Sequence, residues 1–297
     1  MILNRTAHRI GYLGSMKSWD VSKKEIWTLH SFLDFVIDHL KYNSENGIQM
    51  LCFDLLETNL QEFDFSSIEE DSEEQNKIDL ISNLVSAKKI RIFFFLGKGY
   101  FLGSQLPEIV QDTKKIILKV SDFLDCIGVQ EPSILIRVGS AYGNRKETLV
   151  RFSEEVKSLP NYVVRKLAVM NDEKPSLFSV TDLLSGVYYS TKIPICFRFL
   201  PHQFNNGGLS SREALFLSAS TWSNDIKPVF IHSEPEAVDE FGVPSSPSPS
   251  SFLSNRIPTF NLEIDIIVDS LDKDLSCIKY MKESKSLKPI VINKIPD

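Results

Sequence analysis

The sequence predicts an α/β fold, a single (β/α)8 TIM barrel spanning residues 1–297. Three observations carry that prediction. Eight short, apolar, β-rich runs recur along the chain, and amphipathic stretches of helical period separate most of them. The Gly-rich phosphate loop that a doubly wound sheet would place after an early strand is missing.

The first candidate strand is His8–Leu13. In Ser22–Tyr42, apolar Ile26, Leu29, Phe32, Leu33, Val36, Ile37 and Leu40 fall three and four apart and give one helix an apolar face. Gln49–Asp54 reads as the second strand. Residues 57–76 read as an acidic loop, because nine carboxylates between Glu57 and Asp79 face only Lys77. Ile90–Phe95 is the third strand, with Phe93, Phe94 and Phe95 apolar on both faces, as a parallel strand covered on two sides requires. The helix Ile109–Phe123, the strand Ser133–Val138 and the helix Lys146–Lys157 follow. Then come the strand Val164–Met170, the helix Ser179–Gly186, the strand Ile193–Phe199 and the helix Ser210–Thr221. Pro228–His232 is the seventh strand, and residues 235–258 form a mobile Pro/Ser-rich loop. Leu262–Val268, the helix Ser270–Lys282 and a patternless tail from residue 284 complete the chain. Ser179, Ser210 and Ser270 are the expected N-caps.

Composition narrows the function classes. Hydrophobic residues make up 42% and charged residues 24%, the balance of a soluble globular protein. Cys52, Cys126, Cys196 and Cys277 are widely spaced without a CxxC pair, which argues against a zinc knuckle and for a reducing compartment. No run is long enough to span a membrane and no signal peptide is evident, so a cytoplasmic protein is expected. A net charge of −6 does not advertise nucleic-acid binding, although seven basic residues crowd Lys88–Lys119.

One stretch carries more. Ile136, Val138, Gly139, Tyr142, Gly143, Arg151, Phe152, Asn171 and Asp172 keep the order and spacing of the core of the UV-damage endonuclease family, which this chain resembles. Arg9-Ile10-Gly11-Tyr12, Trp222 and Asp265–Lys273 extend the resemblance over most of the sequence. In that family, histidines and carboxylates at the C-terminal strand ends hold divalent metals that generate a hydroxide and cut DNA 5′ to a lesion.

Followed strand by strand, the resemblance implies that the ligands are replaced. Leu96, Arg137 and Arg198 stand where the family has a histidine, a histidine and an aspartate, and Met170 stands where it has a glutamate. His232 and Asp269 are the candidate remnants of the metal site. Tyr12, Lys98, Tyr100 and Asn171 are candidate DNA or ligand contacts. Arg137, Met170, Arg198, His232 and Asp269 are expected to converge at the barrel mouth, with an arginine paired to a carboxylate such as Asp269.

The resulting expectation is a catalytically silent relative that acts as a binding or regulatory module. It needs no cofactor, and would take Mn²⁺ or Mg²⁺ only if active. Two alternatives stay open: an active metal-dependent repair endonuclease, and a barrel that takes a small anionic ligand. Expected partners are damaged DNA held weakly, an anionic small molecule or a protein, and no membrane.

Overall fold

The computed structural model describes residues 8–18, 28–58, 60, 63–97, 99–284 and 288–289. Its main sheet has eight parallel strands: β1 (Ile10–Leu13), β2 (Met50–Asp54), β3 (Arg91–Phe95), β4 (Ile134–Ile136), β5 (Leu167–Met170), β6 (Ile195–Cys196), β7 (Val229–His232) and β8 (Asp265–Val268). The pairing order is β6-β5-β4-β3-β2-β1-β8-β7. A parallel bridge between Arg198 and Ile231 joins the two ends, and the Ile231 amide donates to the Phe197 carbonyl at 2.9 Å. The sheet therefore closes into the expected TIM barrel.

Strand alternation sorts the side chains. Met50, Cys52, Phe93, Phe95, Leu135, Ala168, Met170, Cys196, Val229, Ile231 and Ile267 form one buried cluster, the barrel interior. Their strand neighbours pack outward against helices α1 (Leu29–Glu45), α2 (Glu73–Lys88), α3 (Pro107–Cys126) and α4 (Arg145–Lys157). At Gly11, a Cβ would sit 2.0 Å from the Met50 carbonyl oxygen, so only glycine lets β1 approach β2 this closely.

The first helix starts later than its period suggests. Thr28 and Ser31 form a capping box at Leu29, and the segment from Ser22 to Trp27 lies outside the described residues. α2 begins inside the stretch that reads as an acidic loop. Its weakly amphipathic sequence buries only Ile78 and Ile81, too few apolar positions to set a clear period. Part of the acidic segment is also core. Phe63 lies 5.4 Å from Phe32, and Phe65 lies 5.2 Å from Phe123, ring centre to ring centre. The pair staples the segment to α1 and α3.

Further expectations change. Residues 235–258 are a hydrogen-bonded antiparallel excursion. Pro235 bridges Pro249, Val238 bridges Pro244, and the Glu234 carboxylate accepts the amides of Ser254 and Asn255 at 2.9 and 2.8 Å. α5 runs past Gly186 as three contiguous pieces, Val180–Leu183, a π-turn Leu184–Tyr188 and Tyr189–Thr191. A short α6 (Phe199–Phe204) takes over where the sequence predicts more of β6. Ser179 caps α5 and Ser210 caps α7 (Ser211–Ala219), both with capping boxes, but the last helix, α8 (Lys273–Glu283), is preceded by Asp272 and not capped by Ser270. Of the tail, Lys288–Pro289 pairs with Asn255–Arg256.

The N-terminal end of the barrel is closed by charge. The buried Asp265 carboxylate lies 2.9 Å from Arg9, 3.1 Å from Arg91 and 3.1 Å from Lys227, while Arg91 also meets Glu131 at 2.6 Å. Trp222 donates its indole N–H to the Ile195 carbonyl at 2.9 Å and fills the floor. One carboxylate thus gathers β1, β3, β7 and β8. Replacing Asp265 with alanine removes the buried countercharge that Arg9, Arg91 and Lys227 share and is expected to cost about 3–5 kcal/mol. Urea unfolding measures this; a loss below about 1 kcal/mol contradicts it.

Candidate functional site

The C-terminal mouth follows from strand parity. Positions that continue the inward face beyond the last interior residue are Asp54 after Cys52, Arg137 after Leu135, Arg198 after Cys196, Ser233 after Ile231 and Asp269 after Ile267. Arg137 places one Nη 3.5 Å from the buried Asp172 carboxylate and its guanidinium 5.9 Å from the Phe101 ring centre. Arg198 approaches Glu173 at 4.0 Å and lies 5.8 Å from the Phe95 ring centre. Asp269 accepts from Ser233 Oγ at 3.3 Å. Asp54 accepts the Leu56 amide at 3.0 Å. Glu57 accepts the amide and hydroxyl of Ser15 at 2.6 and 2.7 Å and pairs with Lys273 at 2.8 Å. Gly14, in the left-handed region at φ 91°, makes room for that pair, because a Cβ there would meet Lys273 Nζ at 2.9 Å.

Burial and charge compete at these carboxyls. Burial pushes the Asp172 carboxyl up to about 6, although the Arg137 and Arg198 guanidiniums pull it back. Burial also raises Asp269, opposed by Arg198, and raises Asp54, reinforced by Glu57 and Asp269 and opposed by Lys273. Glu57 goes the other way. Its bonds to Lys273 and Ser15 overcome its burial and lower it.

The sequence-predicted residues divide. Arg137, Met170, Arg198 and Asp269 do meet at the mouth or line the interior beneath it. His232 does not join them. It shares the outward face with Phe230, and its ring lies 5.0 Å from Phe199. Burial alone drives its pKa down to about 3, and neither ring nitrogen has a hydrogen-bond partner among the described residues. His202 is buried 5.1 Å from Phe197 and burial lowers it to about 4. Leu96 is buried in the cluster between strands and helices.

The candidate contacts are also redistributed. Tyr12 is fully buried, and its hydroxyl donates to Asn43 at 3.0 Å, so it cannot present a platform to a base. Asn171 is a clamp, not a contact. Its amide nitrogen donates to the Arg198 carbonyl at 3.1 Å and its amide oxygen accepts the Arg198 amide at 2.7 Å, tying the end of β5 to the end of β6. Tyr100 is partly buried, packed on the outer core beside α3. Lys98 lies outside the described residues.

Sequence reasoning passes over Phe101, Glu173, Glu57 and Lys273. The retained glycines hold the signal for Phe101. A Cβ on Gly139, at φ 112°, would fall 2.8 Å from Phe101 Cβ, so this glycine seats the ring that Arg137 covers. Gly103 likewise passes within a Cβ's reach of the Val138 carbonyl, and its amide donates there at 3.1 Å. Tyr142 meets Ser104 at 3.0 Å and underlies Arg151 at 6.0 Å. The glycine, tyrosine and arginine pattern thus shapes the loops after β3 and β4.

A model of the family described as UV-endonuclease UvdE matches residues 23–296. The chain belongs to the UvdE family. It is 26% identical over 307 aligned positions to the UV DNA damage endonuclease of Bacillus cereus (strain 03BB102), covering 95% of this chain and 96% of that protein. The Bacillus anthracis UV DNA damage endonuclease gives the same identity and coverage. The crystal structure of SacUVDE superposes with a TM-score of 0.77 at 24% identity, over 94% of this chain and 99% of that one. Endonuclease IV from Thermus thermophilus shares the fold at a TM-score of 0.60 and 10% identity, over 94% of this chain and 99% of that one.

The metal cluster that the UvdE resemblance implies does not fit the residues present. Among the described residues, no three His, Cys, Asp or Glu side chains are grouped to hold a metal ion. Guanidiniums occupy two of the inward positions, and the nearby carboxylates face Arg137, Arg198, Lys273 or an N–H.

The buried His232 supplies a test. Its folded pKa of about 3 lies below the ordinary 6.5, so below pH 6.5 the unfolded chain takes up a proton that the folded chain refuses. Stability therefore falls with pH through that window. A His232→Gln variant lacks this term, so wild type should lose stability relative to it by about 1.4 kcal/mol per pH unit below 6.5. Unfolding measured from pH 7 to pH 4.5 checks the slope; a His232 ring proton signal titrating near 6.5 would refute the assignment.

Proposed function

We propose that this chain is a catalytically silent UvdE-family protein whose barrel mouth binds a ligand and hydrolyses nothing. The observation that carries the reading is the pair Arg137 and Arg198 at lumen-facing strand ends, each over a phenylalanine and opposite a carboxylate. Fixed cations on protein side chains can neutralise those carboxylates, but they do not supply a metal-bound hydroxide. An arginine also stays protonated and serves poorly as a general base at neutral pH. The buried histidines His202 and His232 are held neutral among phenylalanines, away from the lumen.

Family membership favours damaged duplex as one ligand, held weakly. The exposed Glu69, Glu70 and Asp71 lie in the connection after β2, on the mouth side of a barrel, and repel phosphate. Contacts that survive this repulsion are expected to weaken steeply with salt.

A UV-irradiated supercoiled plasmid tests the reading. With Mn²⁺ or Mg²⁺, the purified protein should produce no strand breaks above a protein-free control. Metal-dependent nicking 5′ to lesions, lost in Asp269→Asn, would show that catalysis survives.

A further inference from the structure

We propose that the mouth between Arg137 and Arg198 is a receptor for a tetrahedral oxyanion, the terminal group of a small phosphate monoester. The inference rests on the silent-barrel reading and adds the ligand's chemistry to it.

The first ground is unused donor capacity. A guanidinium carries five N–H donors in a rigid fork that matches phosphate oxygens two at a time. Arg137 meets Asp172 through one Nη at 3.5 Å, and Arg198 meets Glu173 through one Nη at 4.0 Å. Charge-assisted bonds run at about 2.7–2.9 Å, so these are loose ion pairs and neither is bidentate. The Nε–H of each arginine is buried and has no acceptor among the described residues. Those Nε–H groups are shut off from solvent, so the donors an entering oxyanion reaches are the Nη–H groups that the loose pairs with Asp172 and Glu173 leave uncommitted.

The second ground is preorganisation. Each guanidinium faces an aromatic ring, Phe101 under Arg137 and Phe95 under Arg198. Phe101 is seated by Gly139, and the Arg198 backbone is held on both sides by the Asn171 amide. Two rigid forks therefore stand ready before any ligand arrives, which lowers the ordering cost of binding.

Size selects the ligand. The arginine side chains are 14% and 13% exposed, so a group must enter the mouth to reach them. A terminal phosphate on a small molecule can do so. A duplex presents its diesters along a bulky surface, and Glu69, Glu70 and Asp71 oppose a polyanion more strongly than a single dianion. The facing carboxylates limit the affinity: Asp172, Glu173 and Asp269 all lie within the field of Arg137 or Arg198.

Calorimetric titration of the full-length protein with inorganic sulfate and phosphate tests the site, alongside NMR of the arginine Nε–H resonances. Saturable one-to-one binding is expected, with the Arg137 and Arg198 Nε–H signals shifting together. Arg137→Gln and Arg198→Gln should each weaken binding by at least about tenfold, and Arg→Lys at either position should not restore it, because an ammonium lacks the fork. Ribose 5-phosphate should displace sulfate, whereas a 20-base-pair duplex at equal phosphate concentration should not. Unsaturable binding, or binding unchanged in the double glutamine variant, would reduce the site to an adventitious ion only and overturn the proposal. Displacement by the duplex alone would overturn the monoester assignment. The plasmid assay stays separate: an inert barrel without sulfate binding removes only this inference, whereas metal-dependent nicking removes the reading beneath it.

Discussion

Two guanidiniums set the character of this barrel's open end. Arg137 and Arg198 stand on the inward faces of their strand ends, over Phe101 and Phe95, and their charge holds the carboxyls around them. Asp172, buried in that ring, shows the balance: burial pushes its carboxyl up to about 6 even with both arginines close. Everything else at the mouth is arranged consistently with this. Glu57 is occupied by Lys273 and Ser15, and the backbone clamp of Asn171 fixes where Arg198 starts. The opposite end uses a mirrored device, with one buried carboxylate, Asp265, gathering three cations. A charged floor and a charged mouth bracket an apolar interior.

The barrel is legible because its strands are apolar on both faces and most of its helices carry a clear period. Phe93, Phe94 and Phe95 all prove buried, as two-sided cover requires. Legibility fails where local composition conflicts with tertiary packing. The acidic stretch hides α2 and the paired anchors Phe63 and Phe65, since its charge dominates any count of residues. The Pro/Ser stretch reads as irregular, yet backbone pairing and the Glu234 carboxylate organise it, and neither leaves a periodic trace.

At the site, the residue types are legible and their directions less so. Arg137 and Arg198 continue the inward parity of Leu135 and Cys196, which fixes where they point. His232 follows outward-facing Phe230, so a match by spacing puts it on the wrong side of the sheet. Tyr12 and Asn171 read as contacts because they match positions in the family resemblance. Each is instead consumed by an internal hydrogen bond, Tyr12 with Asn43 and Asn171 with the Arg198 backbone. The family pattern of Gly139, Tyr142 and Arg151 is used here for loop geometry.

In the proposed silent barrel, side-chain cations occupy the mouth in place of metal ions. Titrating the protein into Mn²⁺ and following the six-line EPR signal of the free ion tests it directly, because bound Mn²⁺ leaves that signal. An arginine-neutralised mouth predicts no loss of signal beyond that of weak surface binding at millimolar protein. Stoichiometric loss of two or more Mn²⁺ per chain, removed by Asp269→Asn, would contradict the account.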